Sequence, residues 1–164
     1  MGPMDRLYDS DPAKWTKAFQ VNVLSHLYTF KYAIPHLRQT EGKVVFTTSD
    51  AGRAVFPGWG FYSMSKTAVA FEVQQLHLEE PSLIAIGLRP GLCDTPMLRG
   101  VMDGTYEGWS QEDAAAFKNI SAGHELIPPK VAAKGFAYAV AKASRALSGF
   151  VYDWNDPQIQ TLIG

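Results

Sequence analysis

The sequence predicts an α/β fold of about three parallel strands with flanking helices. Two apolar runs, Val44-Val45-Phe46 within "EGKVVFTTS" and the core of "SLIAIGLRP" (82–90), are too short for helices, and the first is β-branched. Between and around them lie longer segments whose apolar residues recur every three or four positions. The resulting order, helix, strand, helix, strand, long loop, helix, strand, fits βα units with right-handed crossovers.

Each element carries its own signals. Asp11 is an N-cap candidate with Pro12 at the first helical position. From there Trp15, Phe19, Val23, Leu27, Phe30, Ile34 and Leu37 form one apolar face, predicting a helix over 11–39 with a bend near Pro35. The first strand follows. A loop over 50–59 holds Gly52, Pro57 and Gly58, and a second helix spans 60–80, ahead of Pro81. The second strand closes on Pro90-Gly91. Residues 91–128 read as a long mixed segment with a helical patch over 111–119. "KVAAKGFAYAVAKASRAL" (130–147) reads as a third helix, and "GFVYDW" (149–154) as a last strand.

Composition bounds the function. The chain has 164 residues, 46% of them apolar, which suits one domain over 1–164 with a real core. Fifteen basic and sixteen acidic residues leave no basic footprint for nucleic acid. No apolar stretch approaches the roughly 18 residues of a membrane span, and the N-terminus lacks a secretory pattern. A lone cysteine, Cys93, allows no internal disulfide and reads as a small semi-buried thiol. These features point to the cytoplasm. His26, His36, His77 and His124 have no metal-ligand spacing, so no metal site is expected.

The chemistry concentrates in "TTSDAGRAVFPGWGFYSMSK" (47–66). Tyr62 and Lys66 are four apart on a helix and share a face. A nearby ammonium favours the phenolate, which predicts a Tyr62 pKa below its usual value of about 10. Ser49 stands at the carboxyl end of a strand, where open α/β sheets bind ligands. "SMSK" also fits the Ser-x-x-Lys nucleophile pattern, but its Ser-x-Asn and Lys-Thr-Gly companions do not occur.

Ser49, thirteen residues on Tyr62, four further Lys66: this spacing resembles the active site of the short-chain dehydrogenase/reductase family. "FQVNVLSHLYTFKYAIPHL" is similar to that family's fourth helix, with Asn22 at its active-site asparagine. "GKVVFTTSDAG" matches its fifth strand and serine loop, and "RPGLCDTPM" its Pro-Gly motif. The resemblance implies a Rossmann-like, doubly wound fold, here truncated. It implies Tyr62 as catalytic acid/base, Ser49 polarising a carbonyl or alcohol, Lys66 tuning Tyr62 and holding the nicotinamide ribose, and Asn22 anchoring a proton relay. Pro90, Gly91 and Thr95 would meet the nicotinamide end. Met97, Leu98, Met102, Tyr106 and Trp109 are candidates to line a substrate pocket or to cover the core.

The family's Gly-x-x-x-Gly-x-Gly turn, its adenosine-ribose reader and its Asn-Asn-Ala-Gly strand do not occur in these residues. The expectation is therefore weak or no NAD(P) binding by this chain alone, since a few lost phosphate hydrogen bonds at about 1.5–3 kcal/mol each remove several powers of ten in affinity. On that basis cofactor-independent acid/base chemistry on a small carbonyl compound (isomerase, dehydratase or cyclase) ranks ahead of NAD(P)-dependent oxidoreduction. A non-catalytic scaffold is the third reading. In the family's strand order "KVVFTTS" is interior, so its exposed edge predicts a homodimer or larger oligomer, or an edge covered by residues 1–10.

Overall fold

The computed structural model describes all residues 1–164. Helix α1 (Pro12–Phe19) starts as expected, with the Asp11 carboxylate accepting from the Ala13 N–H at 2.8 Å. It runs through a π-helical turn, Gln20–Leu24, into α2 (Ser25–Leu37). The predicted single helix is thus interrupted at 20–24, whereas α2 continues through Pro35. Strand β1 (Lys43–Thr47), α3 (Gly60–Glu79) and β2 (Ile84–Arg89) follow as the sequence predicts.

The long segment after β2 holds two helices, α4 (Pro96–Met102) and α5 (Gln111–Ser121), where one patch is expected. Helix α6 (Pro129–Lys142) stops short of 147. Ala143 leaves helical geometry, and a 3₁₀ turn at Arg145–Leu147 lets the Ser148 hydroxyl accept from the Ala85 N–H at 3.0 Å. Strand β3 (Val151–Asp153) and a further helix, α7 (Pro157–Ile163), complete the chain. No helix is long and apolar enough to cross a membrane.

The sheet is three-stranded and wholly parallel, in the order β1-β2-β3. Strand residues alternate between two faces. Val44, Phe46, Ala85 and Val151 pack with Val69, Val73 and Leu76 of α3 and Phe30 and Ile34 of α2. Val45, Ile84, Ile86, Leu88 and Tyr152 pack with Ala139 of α6 and Ile159 of α7. Helices therefore cover both faces, the arrangement that buried, continuously apolar parallel strands require.

The edge of β1 is open. Ile84 N–H donates to the Gly42 carbonyl and Thr48 N–H to the Leu88 carbonyl, at 3.1 and 2.9 Å. Alternation along the strand then directs the backbone groups of Lys43, Val45 and Thr47 away from β2. Residues 1–10 make no backbone hydrogen bond to that edge. Instead Met4 is buried with Trp59, Trp109 and Phe117 in a third apolar cluster, beyond the carboxyl ends of the strands.

Candidate active site

Ser49 follows β1 in extended geometry and heads a 3₁₀ turn, its hydroxyl oxygen accepting from the Ala51 N–H at 3.2 Å. Tyr62 lies in the first turn of α3 and Lys66 one turn later. The Ser49 hydroxyl stands close enough to the Tyr62 phenol to favour its ionised form. The Lys66 ammonium donates to the Thr47 carbonyl at 2.8 Å and sits 5.8 Å from the centre of the Tyr62 ring. Asn22 belongs to the π-helical turn. Its Nδ2 donates to Ser65 Oγ at 3.2 Å, and Ser65 Oγ donates to the Tyr62 carbonyl at 2.8 Å. A chain of two hydrogen bonds thereby ties Asn22 to the backbone of Tyr62.

The electrostatics differ from the sequence expectation. Burial pushes the Tyr62 phenol above 10, and the nearby Ser49 hydroxyl only partly offsets this. Burial lowers the pKa of the Lys66 ammonium. The predicted depression of the Tyr62 pKa is therefore not found. The ammonium is directed at the Thr47 carbonyl, and desolvation of the phenolate outweighs its influence. Tyr62 is consequently held in its neutral form.

These residues line one cavity of about 560 Å³ at the carboxyl ends of β1 and β2. Asn22, Ser49, Tyr62, Lys66, Pro90, Gly91 and Thr95 all reach it, as do Met97 and Leu98. Gly91 needs its positive φ of 72°, and a Cβ there would sit 2.6 Å from Ile127 Cδ1. The Thr95 hydroxyl oxygen also accepts from the Leu98 N–H at 3.3 Å and caps α4. Met102, Tyr106 and Trp109, candidates for the pocket, do not line it. They pack behind its wall, where the Trp109 indole donates to the Val101 carbonyl at 2.8 Å.

Several cavity residues have no signal in sequence. Phe56 and Trp59 come from the loop before α3, Phe117 from α5, and Phe136 from α6. Cys93 also lies on the wall, half-buried, with its thiol pushed up by burial. Thr48 and Trp59 line the cavity too, at 2% and 7% exposure, and the Thr48 hydroxyl and Trp59 indole nitrogen have no partner in the protein. A network of Asp50, Arg53, Arg89 and Asp153 stands at the rim. In it Arg89 Nε donates to Asp153 at 2.6 Å and Arg53 Nε to Asp50 at 2.9 Å.

The donor set tests what a nicotinamide cofactor would meet here. Tyr62 O–H, the Lys66 ammonium and the Asn22 amide suit the hydroxyls of a ribose. The glycine turn that would cradle a diphosphate does not occur in these residues. The fit is to the nicotinamide-ribose end.

A family model described as short chain dehydrogenase matches residues 1–105. An uncharacterized oxidoreductase of Schizosaccharomyces pombe is 35% identical over 153 residues, which cover 93% of this chain and 62% of that protein. The crystal structure of a short chain dehydrogenase/reductase from Saccharomyces cerevisiae covers the whole chain at 27% identity with a TM-score of 0.89, the match spanning 67% of that structure. A short chain dehydrogenase from Escherichia coli, solved with NADPH, covers 94% of the chain at 25% identity and a TM-score of 0.73; the match spans 58% of its length.

Proposed function

The chain belongs to the short chain dehydrogenase family, and on that premise we propose that it supplies the acid/base centre of a carbonyl/alcohol oxidoreductase. The observation that carries this reading is the meeting of Ser49, Tyr62 and Lys66 on one cavity, with burial favouring the protonated form of Tyr62. A reduced nicotinamide, when bound, supplies two electrons and a hydrogen to the carbonyl carbon. The chain's own part is the proton. Tyr62 gives its phenolic proton to the carbonyl oxygen as negative charge develops there, and Ser49 stabilises that oxygen by hydrogen bonding. Tyr62 then recovers a proton from solvent. Lys66 would hold the ribose of a bound nicotinamide, and its ammonium opposes the charge left on the phenolate. Asn22, acting through Ser65, fixes the first turn of α3 and so the position of Tyr62.

Proton transfer without a cofactor, as in an isomerase, dehydratase or cyclase, is the second reading. It draws on the absence of the glycine turn from these 164 residues. For the same reason the chain alone is expected to hold NAD(P) no better than about millimolar. We also propose self-association, through the open edge of β1 or the exposed apolar residues Leu27, Tyr28 and Tyr32 of α2 and Phe71 and Leu78 of α3. The single thiol on the cavity wall suits a reducing cytoplasm.

The test is turnover of simple ketones by the purified chain, with and without NADH or NADPH at millimolar concentration. Tyr62→Phe removes only a hydroxyl and is expected to abolish turnover while leaving the circular dichroism spectrum unchanged. Turnover that survives Tyr62→Phe would overturn both readings. Turnover of wild type that ignores the nicotinamide would select the second.

A further inference from the structure

We propose that the substrate at Tyr62 is an uncharged ketone, or the corresponding alcohol, carried on a flat aromatic ring, and that Trp59, Phe117 and Phe56 select the ring. This deepens the reading of Tyr62 as proton donor to a carbonyl and rests on it. Trp59 immediately precedes α3, and its ring meets that of Tyr62 edge to face, with centres 5.7 Å apart at 77°. Phe117 stacks on Trp59 at 5.0 Å and 27°. Phe56 contacts both, at 5.3 Å from Trp59 and 6.3 Å from Phe117. Three rings from a loop and a distant helix thus form one aromatic wall that ends at the reacting phenol.

The wall is rigid. Trp59 and Phe117 are 7% and 6% exposed, locked into the apolar cluster with Leu98 and Val101. A pre-packed aromatic surface favours a ring, because its edges and faces carry complementary charge that an aliphatic ligand of the same size cannot use. The cavity's volume lies in the range of small-molecule sites and leaves room for a one- or two-ring compound.

Charge excludes the alternatives. Of the side chains lining the cavity only those of Asp50 and Lys66 are charged. Asp50 is paired with Arg53, and the Lys66 ammonium donates to the Thr47 carbonyl next to Tyr62, at the carbonyl end of the site and not at the aromatic wall. A carboxylate or phosphate on the ring would face no arginine, and burying it unpaired is costly.

The experiment measures binding to the full chain by calorimetry and tryptophan fluorescence, using acetophenone, cyclohexyl methyl ketone and 4-acetylbenzoate. Acetophenone is expected to bind about fivefold more tightly than its saturated counterpart and at least about tenfold more tightly than the carboxylate. In Phe117→Leu the ring advantage is expected to fall below about twofold. Should that variant fail to fold, the wild-type series decides alone. Equal or tighter binding of the cyclohexyl ketone overturns the proposal. So does tight binding of 4-acetylbenzoate, or no binding of acetophenone at millimolar concentration. Tyr62→Phe separates the two levels: it is expected to keep the ring preference and lose turnover. Retained turnover in that variant strikes the assignment of Tyr62 and leaves the ring preference standing on the binding data.

Discussion

Phe61 is the residue through which α1 is fastened to α3, and its removal has a calculable cost. Its side chain is 1% exposed and lies edge to face with Trp15 at 5.6 Å and with Phe19 at 5.9 Å. Gly2 packs so closely that a Cβ on it would sit 2.3 Å from the Phe61 ring. Truncation to alanine removes the ring from water-free surroundings and leaves a void that two helices and the N-terminal segment cannot all close. Phe→Ala changes of this kind cost about 3–5 kcal/mol. For a chain of this size each kcal/mol lowers the melting temperature by about 2–4 °C, so Phe61→Ala is expected to melt roughly 6–20 °C lower. Urea unfolding followed by circular dichroism gives the free energy directly. A double-mutant cycle with Trp15→Leu isolates the aromatic pair, for which the coupling should be about 0.5–1.5 kcal/mol. A loss below about 1 kcal/mol for Phe61→Ala, well under the range for a filled core site, would refute the claim that this ring anchors α1.

Three further outcomes are expected. Because burial raises the Tyr62 pKa above its ordinary value of about 10, ketone reduction should keep its rate through neutral pH and lose it only above that ordinary value; a fall centred near neutrality in the pH–rate profile would contradict this. Arg89 holds the Asp153 carboxyl below its usual 3.8, so the stability it contributes is complete above that pH and is lost as the pH drops through the lower folded-state value. Asp153→Asn should therefore flatten the acid limb of the stability curve, and an unchanged acid limb in urea titrations would rule the pair out. Sedimentation should find a dimer or larger species at high micromolar concentration, whereas a stable monomer would show that the β1 edge and the apolar faces of α2 and α3 tolerate water.

The parts of the fold that could be read from sequence are those where one periodic pattern dominates. The β-branched run of β1, the apolar run of β2 and the twenty-residue α3 all lie where expected. Helices α4 and α7 were readable in principle. Each begins with a capping side chain followed by proline, Thr95-Pro96 and Asp156-Pro157, the same signal that marks α1. The reacting set was legible because Ser49, Tyr62 and Lys66 are tied by local spacing. The aromatic wall was not, since Phe117 reaches Trp59 only through tertiary packing. The sign of the Tyr62 shift was likewise out of reach: spacing puts Lys66 nearby, but only coordinates reveal that the ammonium turns to the Thr47 carbonyl.

The π-helical turn at Gln20–Leu24 has a consequence for how this helix tolerates insertion and deletion. A π turn accommodates one residue more than an α turn, so it acts as a stored single-residue insertion. Residues 25–37 are out of phase with 12–19 by that one residue, about 100° around the axis at 3.6 residues per turn. Deleting one residue from 20–24 would let the backbone relax into uninterrupted α-helix, a change most helices could not absorb so easily. The phase would then be wrong at one end or the other. Either Trp15 and Phe19 would rotate off Phe61, or Phe30 and Ile34 would rotate off β1, and Asn22 would lose its alignment with Ser65. The extra residue is thus what allows one continuous rod to serve the anchor at its start, the sheet at its end and α3 between them.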